Sequence, residues 1–243
     1  MLNLISTKKN CLVLYGSVLF IIMKWHSKLN QYYFMPLRFK PILFSILFIC
    51  SSFLAVSQSD TSTVKAQFAL GVNSPSANGF ASNFEAQSVN FPSINLGIQY
   101  MFKPKLGAKL DFGYNRFSNL NNTPEFKINY TRLNAQLVYD ATSIFSFLPQ
   151  RMGTFVHAGP GFTTIKPLGN YTQNDTSFLN AMVGIEFHYG VSDKLSVYFD
   201  TSYILGFGKD FNPISSGFGS FNGNLLTLTI GASISLSGCQ YCD

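Results

Sequence analysis

Seven ionisable side chains of this sequence lie on the polar side of segments in which polar and apolar residues alternate. They are Lys65, Lys109, Asp111, Arg132, Glu186, Lys194 and Asp200. A period of two puts the two sides of a strand on opposite faces of a sheet, so these groups are expected to face a common interior. Charges removed from water must pair. The pattern predicts an ion-pair network, which either plugs the interior or lines a small gated pore.

Two histidines share the parity of these charges and raise the question of metal or hydrolytic chemistry. His157 and His188, with Glu186, offer ligand types that bind transition metals. The sequence has no dense ligand motif, so they are expected to be ordinary interior polar residues, with no metal and no cofactor. Ser202 completes the residue types of a Ser/His/Asp hydrolase, but no G-x-S-x-G nucleophile motif is present. The chain is therefore not expected to be an enzyme.

A third chemical motif is the C-x-x-C spacing of Cys239 and Cys242 at the end of the sequence. A thioredoxin-like centre requires this motif at the start of a helix in an α/β unit, and the surrounding pattern predicts no such unit. In an oxidising compartment, the two cysteines could form a local disulfide, and whether they are bonded stays open.

The stretch that positions several of these charges is residues 91–117, which predicts a β-hairpin. Its apolar positions alternate with polar ones on either side of the break Lys103-Pro104-Lys105. The apolar set is Ile94, Leu96, Ile98, Tyr100, Phe102, Leu106, Ala108, Leu110, Phe112 and Tyr114. Period two with a short Pro-containing break indicates paired strands. The apolar face carries no charge and ends in aromatics, which is typical of a strand that faces lipid outside and a polar lumen inside.

Composition supports a lipid-facing exterior. Of 243 residues, 16% are aromatic and only 12% are charged, against about 25% charged in soluble domains. The net charge of +6 arises from six basic residues before Ser57, because 17 − 6 leaves 11 basic against 11 acidic residues. A basic patch for nucleic acid is therefore not predicted.

The basic N-terminal region has the pattern of a targeting segment. Residues 35–58 contain Arg38 and Lys40, an apolar run over 42–56 and small residues near Ser57, which predicts a secretory signal peptide. Residues 1–34 are expected to be an upstream extension, and the start site, Met1 or Met35, stays open.

After this segment, the alternation predicts strands over 64–72, 94–102, 106–114, 126–139, 154–162, 178–189, 195–203 and 226–236. The predicted fold is all-β, an eight-stranded antiparallel up-and-down transmembrane β-barrel over 59–238, followed by a short tail, 239–243. Phe126, Ile128 and Tyr130 have the wrong parity, which indicates a bulge near Thr131 or an end that projects from the membrane. Because eight strands enclose just enough space for side chains, the plug is favoured over the pore.

The segments Asn95-Leu-Gly-Ile-Gln-Tyr, Phe155-Val-His-Ala-Gly-Pro-Gly and Leu226-Thr-Leu-Thr-Ile-Gly, within eight alternating strands, resemble the OmpA-like outer-membrane β-barrel domain family. The resemblance covers about residues 64–236. It implies location in the cell outer membrane, contact with outer-membrane lipids and lipopolysaccharide, and insertion by the barrel assembly machinery. Many members carry a peptidoglycan-binding domain after the barrel. No such domain is expected here, because the sequence stops soon after the last strand.

The predicted function is that of an outer-membrane barrel, monomeric or weakly associating, with a structural or surface-interaction role and at most passive passage of small solutes. Two alternatives stay open. A soluble lipocalin-like barrel that binds a lipophilic ligand requires the aliphatic parity inside, and an outer-membrane lipid-modifying enzyme requires a catalytic set. The segment 205–223 is rich in aromatics, with Phe207, Phe211, Phe218 and Phe221. It either contacts a partner or the lipopolysaccharide surface, or packs on itself.

Overall fold

The computed structural model describes residues 63–145, 147–149 and 151–236, which form a closed barrel of eight antiparallel strands. Each strand pairs with the next, and the last pairs with the first. The predicted fold class is confirmed. The proposed extension 1–34, the signal peptide 35–58 and the pair Cys239 and Cys242 lie outside the described residues.

The strands are longer than the alternation alone indicates. They are β1 (Thr63–Pro75), β2 (Asn90–Lys103), β3 (Leu106–Ser118), β4 (Lys127–Asp140), β5 (Met152–Leu168), β6 (Thr176–Gly190), β7 (Leu195–Gly206) and β8 (Leu225–Ser235). One end of the barrel, the long-loop end, carries loop 1 (76–89), loop 2 (119–126), loop 3 (169–175) and loop 4 (207–224). The other, the turn end, carries 104–105, 141–151 and 191–194. Loop 3 is shorter than the connection 141–151, so not every connection at the long-loop end is longer than every connection at the turn end.

Strand β5 differs most from the prediction, which ended it at Phe162 and placed a loop over 163–176. It continues to Leu168 and passes through Pro160. The ladder between β4 and β5 is interrupted opposite Gly159 and Pro160, so the missing proline N–H falls where that ladder has a gap. At Gly159 a Cβ would lie 2.0 Å from the carbonyl oxygen of Ala135, so the two backbones approach closely here.

Of the two causes predicted for the parity change in β4, the structure tests the bulge. The pairing of β3 with β4 runs without a register shift from Leu106 and Tyr139 to Ser118 and Lys127, so the predicted bulge near Thr131 is wrong. Ile128 and Tyr130 are fully buried on the inward side of the strand. The apolar residues at this end of β4 therefore face the interior, because the interior is itself apolar there.

The outward face is aliphatic and the inward face is polar at mid-barrel. Leu110 is 53% exposed and Leu96 is 47% exposed, whereas Lys109 is 4% and Glu186 is 1% exposed. A soluble ligand-binding barrel requires the opposite arrangement, so the lipocalin-like alternative is wrong. Within the described residues, the structure contains no helix of the length and apolar character needed to span a bilayer.

The interior is filled in three layers. At the long-loop end lies an aromatic plug, made of buried apolar residues from strands and loops: Ala81, Phe84, Phe117, Phe126, Ile128, Tyr130, Ile165, Phe178, Met182, Ile204, Phe221 and Leu225. At the turn end lies a smaller turn-end cluster of Met101, Val138 and Phe155. Between them lies a polar network, which includes most of the charges selected from the sequence.

Candidate functional site

The polar network contains six of the seven predicted residues. Lys65, Lys109, Asp111, Arg132, Glu186 and Asp200 are all buried in the barrel interior. Lys194 is the exception: it lies exposed in the turn 191–194, so its predicted place in the network is wrong. The alternation that assigned its parity does not continue through this turn, because residues outside the ladder have no fixed face.

The Glu186 carboxylate binds three side chains of the network, those of Lys109, His188 and Gln67. The Lys109 Nζ lies 2.5 Å from its Oε1. Its Oε2 lies 2.7 Å from His188 Nε2 and accepts a 3.1 Å hydrogen bond from the Gln67 amide. A buried carboxylate is stable only when charge and hydrogen bonds replace water, and Glu186 receives both. It thereby joins side chains of β1, β3 and β6 across the lumen.

A second ion pair joins neighbouring strands. The Arg132 guanidinium donates to Asp111, and its Nη2 donates a 2.9 Å hydrogen bond to Asn95 Oδ1. Its Nη1 also contacts Asn134 Oδ1 at 3.2 Å and the Met182 sulfur at 3.1 Å. Since Met182 belongs to the aromatic plug, Arg132 marks the boundary between the two layers.

Lys65 is placed differently from the other two cations. Its Nζ lies 4.6 Å from the ring centroid of Phe155, which belongs to the turn-end cluster. A cation over an aromatic face is attracted by the ring quadrupole. The contact holds Lys65 at the turn end of the polar network.

The third group is His157, Asp200 and Ser202, and its order does not match a hydrolytic triad. Asp200 lies in the middle: its Oδ2 is 3.1 Å from His157 Nε2, and its Oδ1 accepts a 2.5 Å hydrogen bond from Ser202. In a serine hydrolase the histidine stands between the hydroxyl and the carboxylate and takes the hydroxyl proton. Here the Ser202 hydroxyl donates to the Asp200 carboxylate, so the contact between a nucleophilic hydroxyl and a histidine base is missing.

Within the described part of the chain, His157, Glu186 and Asp200 form the group that could hold a metal ion, with ligand atoms within 4.8 Å of one another. Their existing contacts compete with such use. Glu186 is already engaged by the Lys109 ammonium at 2.5 Å, which an incoming cation would have to displace. The described lumen also balances three cations, Lys65, Lys109 and Arg132, against Asp111, Glu186 and Asp200. A divalent ion would leave an excess of buried positive charge.

Inward-facing glycines make room for the largest network side chains. Gly113 is the cross-strand neighbour of Arg132, and a Cβ there would lie 2.6 Å from the guanidinium carbon. Gly184 pairs with His157, and a Cβ there would lie 2.5 Å from His157 Nε2. A long side chain can therefore cross the lumen only because its neighbour has none.

We expect Gly113→Val to lower the free energy of unfolding by about 1–3 kcal/mol, the usual effect of added bulk in a filled interior. The new methyl groups would displace the Arg132 guanidinium from Asp111. Urea unfolding of the refolded barrel, followed by circular dichroism, measures the change. Ala135→Val adds bulk on the exposed outward face and should leave the midpoint nearly unchanged. Equal midpoints for both variants would contradict the role of Gly113.

The alternation in the sequence puts the amide side chains of the network on the inward face, but it does not indicate that they bind the charged residues. Gln67 donates to Glu186, Gln136 Oε1 contacts His157 Nδ1, and Asn95 accepts from Arg132. The available signal was their parity, which is the same as that of the charges. Partners across the lumen cannot be found from parity, since they depend on the barrel's closure and stagger.

Comparisons with known proteins agree with this architecture. A family model described as the outer membrane protein beta-barrel domain matches residues 46–233. A major outer membrane protein from Thermus thermophilus matches with 10% identity and a TM-score of 0.50, over 72% of this chain and 99% of that chain. The likeness shows a shared fold.

Two further solved structures match at lower structural similarity. OprG from Pseudomonas aeruginosa is 13% identical with a TM-score of 0.49, over 73% of this chain and 96% of that chain. Neisserial surface protein A is 16% identical with a TM-score of 0.48, over 72% of this chain and 96% of that chain. No curated protein sequence matches this chain. The family match, the closed barrel and the lipid-facing exterior together show that this chain belongs to the outer membrane protein beta-barrel domain family, as an OmpA-like eight-stranded barrel of the outer membrane.

Proposed function

We propose that this protein is a closed barrel with a structural or surface-interaction role, and that its lumen conducts no steady current of ions. Outer-membrane barrels place long loops outside the cell and short turns in the periplasm. The aromatic plug would then seal the external end and the turn-end cluster the periplasmic end. The observation that carries the proposal is the continuous filling of the lumen by these two clusters and the polar network.

The aromatic plug supports this proposal because it combines loops with strand ends. Phe221 of loop 4 is fully buried, and its ring centroid lies 5.2 Å from that of Phe117 and 4.8 Å from that of Phe80 in loop 1. Phe84 of loop 1 lies 5.2 Å from Phe218 of loop 4. Close-packed rings exclude water, and an ion that passed them would lose its hydration.

The polar network supports closure in a second way. The ion pairs of Lys109 with Glu186 and of Arg132 with Asp111 use side chains that are nearly or fully buried. Paired charges cross the lumen and replace the water that a conducting path requires. Transient exchange of these partners would allow at most small solutes to pass, which is the limit of the passage we propose.

The external loops are bonded to one another, which favours a surface-interaction role. Leu120 N donates to Glu85 O at 2.8 Å, joining loops 1 and 2, and Asn222 N donates to Gly79 O at 3.0 Å, joining loops 1 and 4. Asn174 Nδ2 in loop 3 donates to the Phe218 carbonyl at 2.9 Å. Loops fixed in this way present a preorganised surface, and preorganisation lowers the entropic cost of binding.

The aromatic segment of loop 4 serves both of the uses left open by sequence. Phe221 is fully buried inside the loop assembly, Phe218 stacks on Phe84 while 37% exposed, and Phe207 is 61% exposed. We propose that Phe207 contacts membrane lipid or a surface partner, that the barrel functions as a monomer, and that it is inserted by the barrel assembly machinery. We propose no catalytic role, because the Ser202 hydroxyl donates to Asp200 and not to a histidine, as the hydroxyl of a serine hydrolase would.

Planar-bilayer recording tests the closed lumen. Purified, refolded protein is expected to give no steady single-channel conductance, because three side-chain layers block the path. Heat-modifiable gel migration in the same preparation shows that the barrel is folded. The variant Phe117→Ala/Phe221→Ala removes two rings that contact each other in the plug and should increase the frequency of brief conductance events. Regular, long-lived conductance steps from the unaltered protein would refute the proposal.

A further inference from the structure

The outward face of β3, β4 and β5 carries a group of cations at the external end. Arg116 is the cross-strand neighbour of Asn129, and Asn129 is the neighbour of Lys166. Lys127 lies two residues from Asn129 on the same outward side of β4. Neighbouring strands lie about 4.8 Å apart, so Arg116 and Lys166 are separated by about 10 Å. We name Arg116, Lys127 and Lys166 the outer basic cluster.

The rows of side chains below this cluster change in polarity towards the middle of the barrel. The outward row Phe112, Leu133, Phe162 and Leu179 is apolar and exposed. The next row towards the external end is Tyr114, Thr131, Thr164 and Ser177, which all carry hydroxyl groups. The row of Arg116, Asn129 and Lys166 follows. Apolar, hydroxyl and cationic rows are arranged as the acyl chains, sugars and phosphates of a phosphorylated glycolipid would be.

Arg116 is held in position by its neighbours with its terminal nitrogens unused. Its Nε donates a 3.0 Å hydrogen bond to Asn129 Oδ1, which also accepts a 2.8 Å bond from the Tyr114 hydroxyl. Its guanidinium carbon lies 5.9 Å from the Tyr114 ring centroid. Among the described residues, no partner contacts its two terminal NH₂ groups. Two NH₂ donors remain for an anion, and a planar guanidinium suits a phosphate.

The outer basic cluster also lacks neutralising carboxylates. The ion pairs within 4.0 Å in the described part of the chain all lie in the barrel interior. Glu125 and Asp175 are the nearest acidic residues in sequence to Lys127 and Lys166, and both lie in connecting loops. The positive charge on this sector of the outward face is therefore not compensated by contact with the protein.

Elsewhere at this end, exposed positions on and next to the strands include large apolar side chains. Phe91 of β2, Leu205 of β7 and Phe207 after β7 are 63%, 39% and 61% exposed. Among the described strand residues, the outward cations at this end are confined to the β3–β5 sector instead of forming a ring around the barrel, and Lys209, the other cation at this end, lies in loop 4. A ring would serve general attraction to an anionic surface, whereas one sector of three cations with hydroxyl groups beneath them suits a single anionic headgroup.

We propose that the outer basic cluster binds the phosphate groups of one lipopolysaccharide molecule in the outer leaflet. This rests on the proposed function, because it requires the long-loop end to be external. Arg116 would form a paired hydrogen bond to one phosphate, and Lys127 and Lys166 would contact it or a second phosphate on the same glycolipid. The hydroxyl row would face the sugars, and the apolar row the acyl chains.

Native mass spectrometry of the refolded barrel tests this site. The probes are deep-rough lipopolysaccharide, the same glycolipid after enzymatic dephosphorylation, phosphatidylglycerol and inorganic phosphate, each titrated against the protein in detergent. One lipopolysaccharide adduct is expected on the unaltered barrel. The variant Arg116→Gln/Lys127→Gln/Lys166→Gln should bind it about 10- to 100-fold more weakly, since each basic residue near a membrane surface adds several-fold to anionic lipid binding.

The matched control is Lys103→Gln/Lys105→Gln/Lys194→Gln, which removes the same charge at exposed positions at the turn end of the barrel. It should retain the lipopolysaccharide affinity. Equal weakening in both triple variants would overturn the site, because net charge alone would then explain binding. Undiminished binding of the dephosphorylated glycolipid would overturn phosphate recognition. Equal displacement by phosphatidylglycerol or inorganic phosphate would overturn the assignment to lipopolysaccharide.

The two proposals can fail separately. The cluster variant should keep heat-modifiable migration and remain silent in planar bilayers, because none of its three changes touches the lumen. Steady conductance from the unaltered protein would refute the closed-barrel proposal without affecting the lipid titration. Loss of the adduct difference between the two triple variants would refute the lipid site without affecting the conductance result.

Discussion

Glu186→Leu is expected to lower the free energy of unfolding of the barrel by about 3–5 kcal/mol, the cost of leaving a buried charge without its partner. The Lys109 ammonium would lose a carboxylate oxygen at 2.5 Å, and the His188 and Gln67 side chains would lose an acceptor. Equilibrium unfolding in urea, from detergent micelles or vesicles, measures the change as a lower midpoint.

The double variant Lys109→Met/Glu186→Leu separates a lost ion pair from lost packing. When both charges of a buried pair are replaced by apolar groups of similar size, the effect is often close to neutral. The double variant should therefore be more stable than Glu186→Leu alone. Glu125→Leu, at an exposed loop position, should change stability by no more than about 0.5 kcal/mol. A Glu186→Leu barrel as stable as the Glu125→Leu barrel would show that the polar network is dispensable.

Leu110→Arg is expected to oppose membrane insertion by about 2–4 kcal/mol, because arginine on the lipid face is most costly near the bilayer midplane. Leu110 lies near the middle of β3, faces outward and is 53% exposed. The measurement is the fraction of protein that acquires heat-modifiable migration on refolding into vesicles, together with its urea midpoint.

Leu120→Arg provides the positional control for this change. Leu120 is 40% exposed but lies in loop 2, beyond the end of β3. Near the interface the same substitution costs about 0–1 kcal/mol, so this variant should insert almost normally. If both variants inserted equally well, the assignment of Leu110 to the hydrocarbon region would be wrong.

The fold was predictable because one physical rule applies along most of the chain. Lipid outside and polar groups inside give the strands a period of two at mid-barrel. On β3, for example, Leu110 is exposed outward and Lys109 is buried inward. The rule also placed six of the seven predicted network charges correctly on the inward face. It failed for Lys194, since a residue in a turn has no ladder to fix its face.

The aromatic plug could not be predicted from the same rule. Ile128 and Tyr130 violate the expected parity only if the whole lumen is polar, and at the long-loop end it is not. The loops fold inward there and supply Phe84 and Phe221 as apolar partners. Which loop covers a barrel end depends on contacts between residues far apart in sequence. The partners of Glu186, which come from several strands, are hidden for the same reason.

The aromatic plug joins the first and last connections at its end of the barrel. Phe80 and Phe84 come from loop 1, whereas Phe221 comes from loop 4, immediately before the strand that closes the barrel onto β1. In a nascent barrel whose final hairpin has not yet docked, these rings are therefore exposed to water. We therefore expect capping to be a late step of folding. Until it occurs, the immature protein would expose an apolar opening to which chaperones or other unfinished chains can bind.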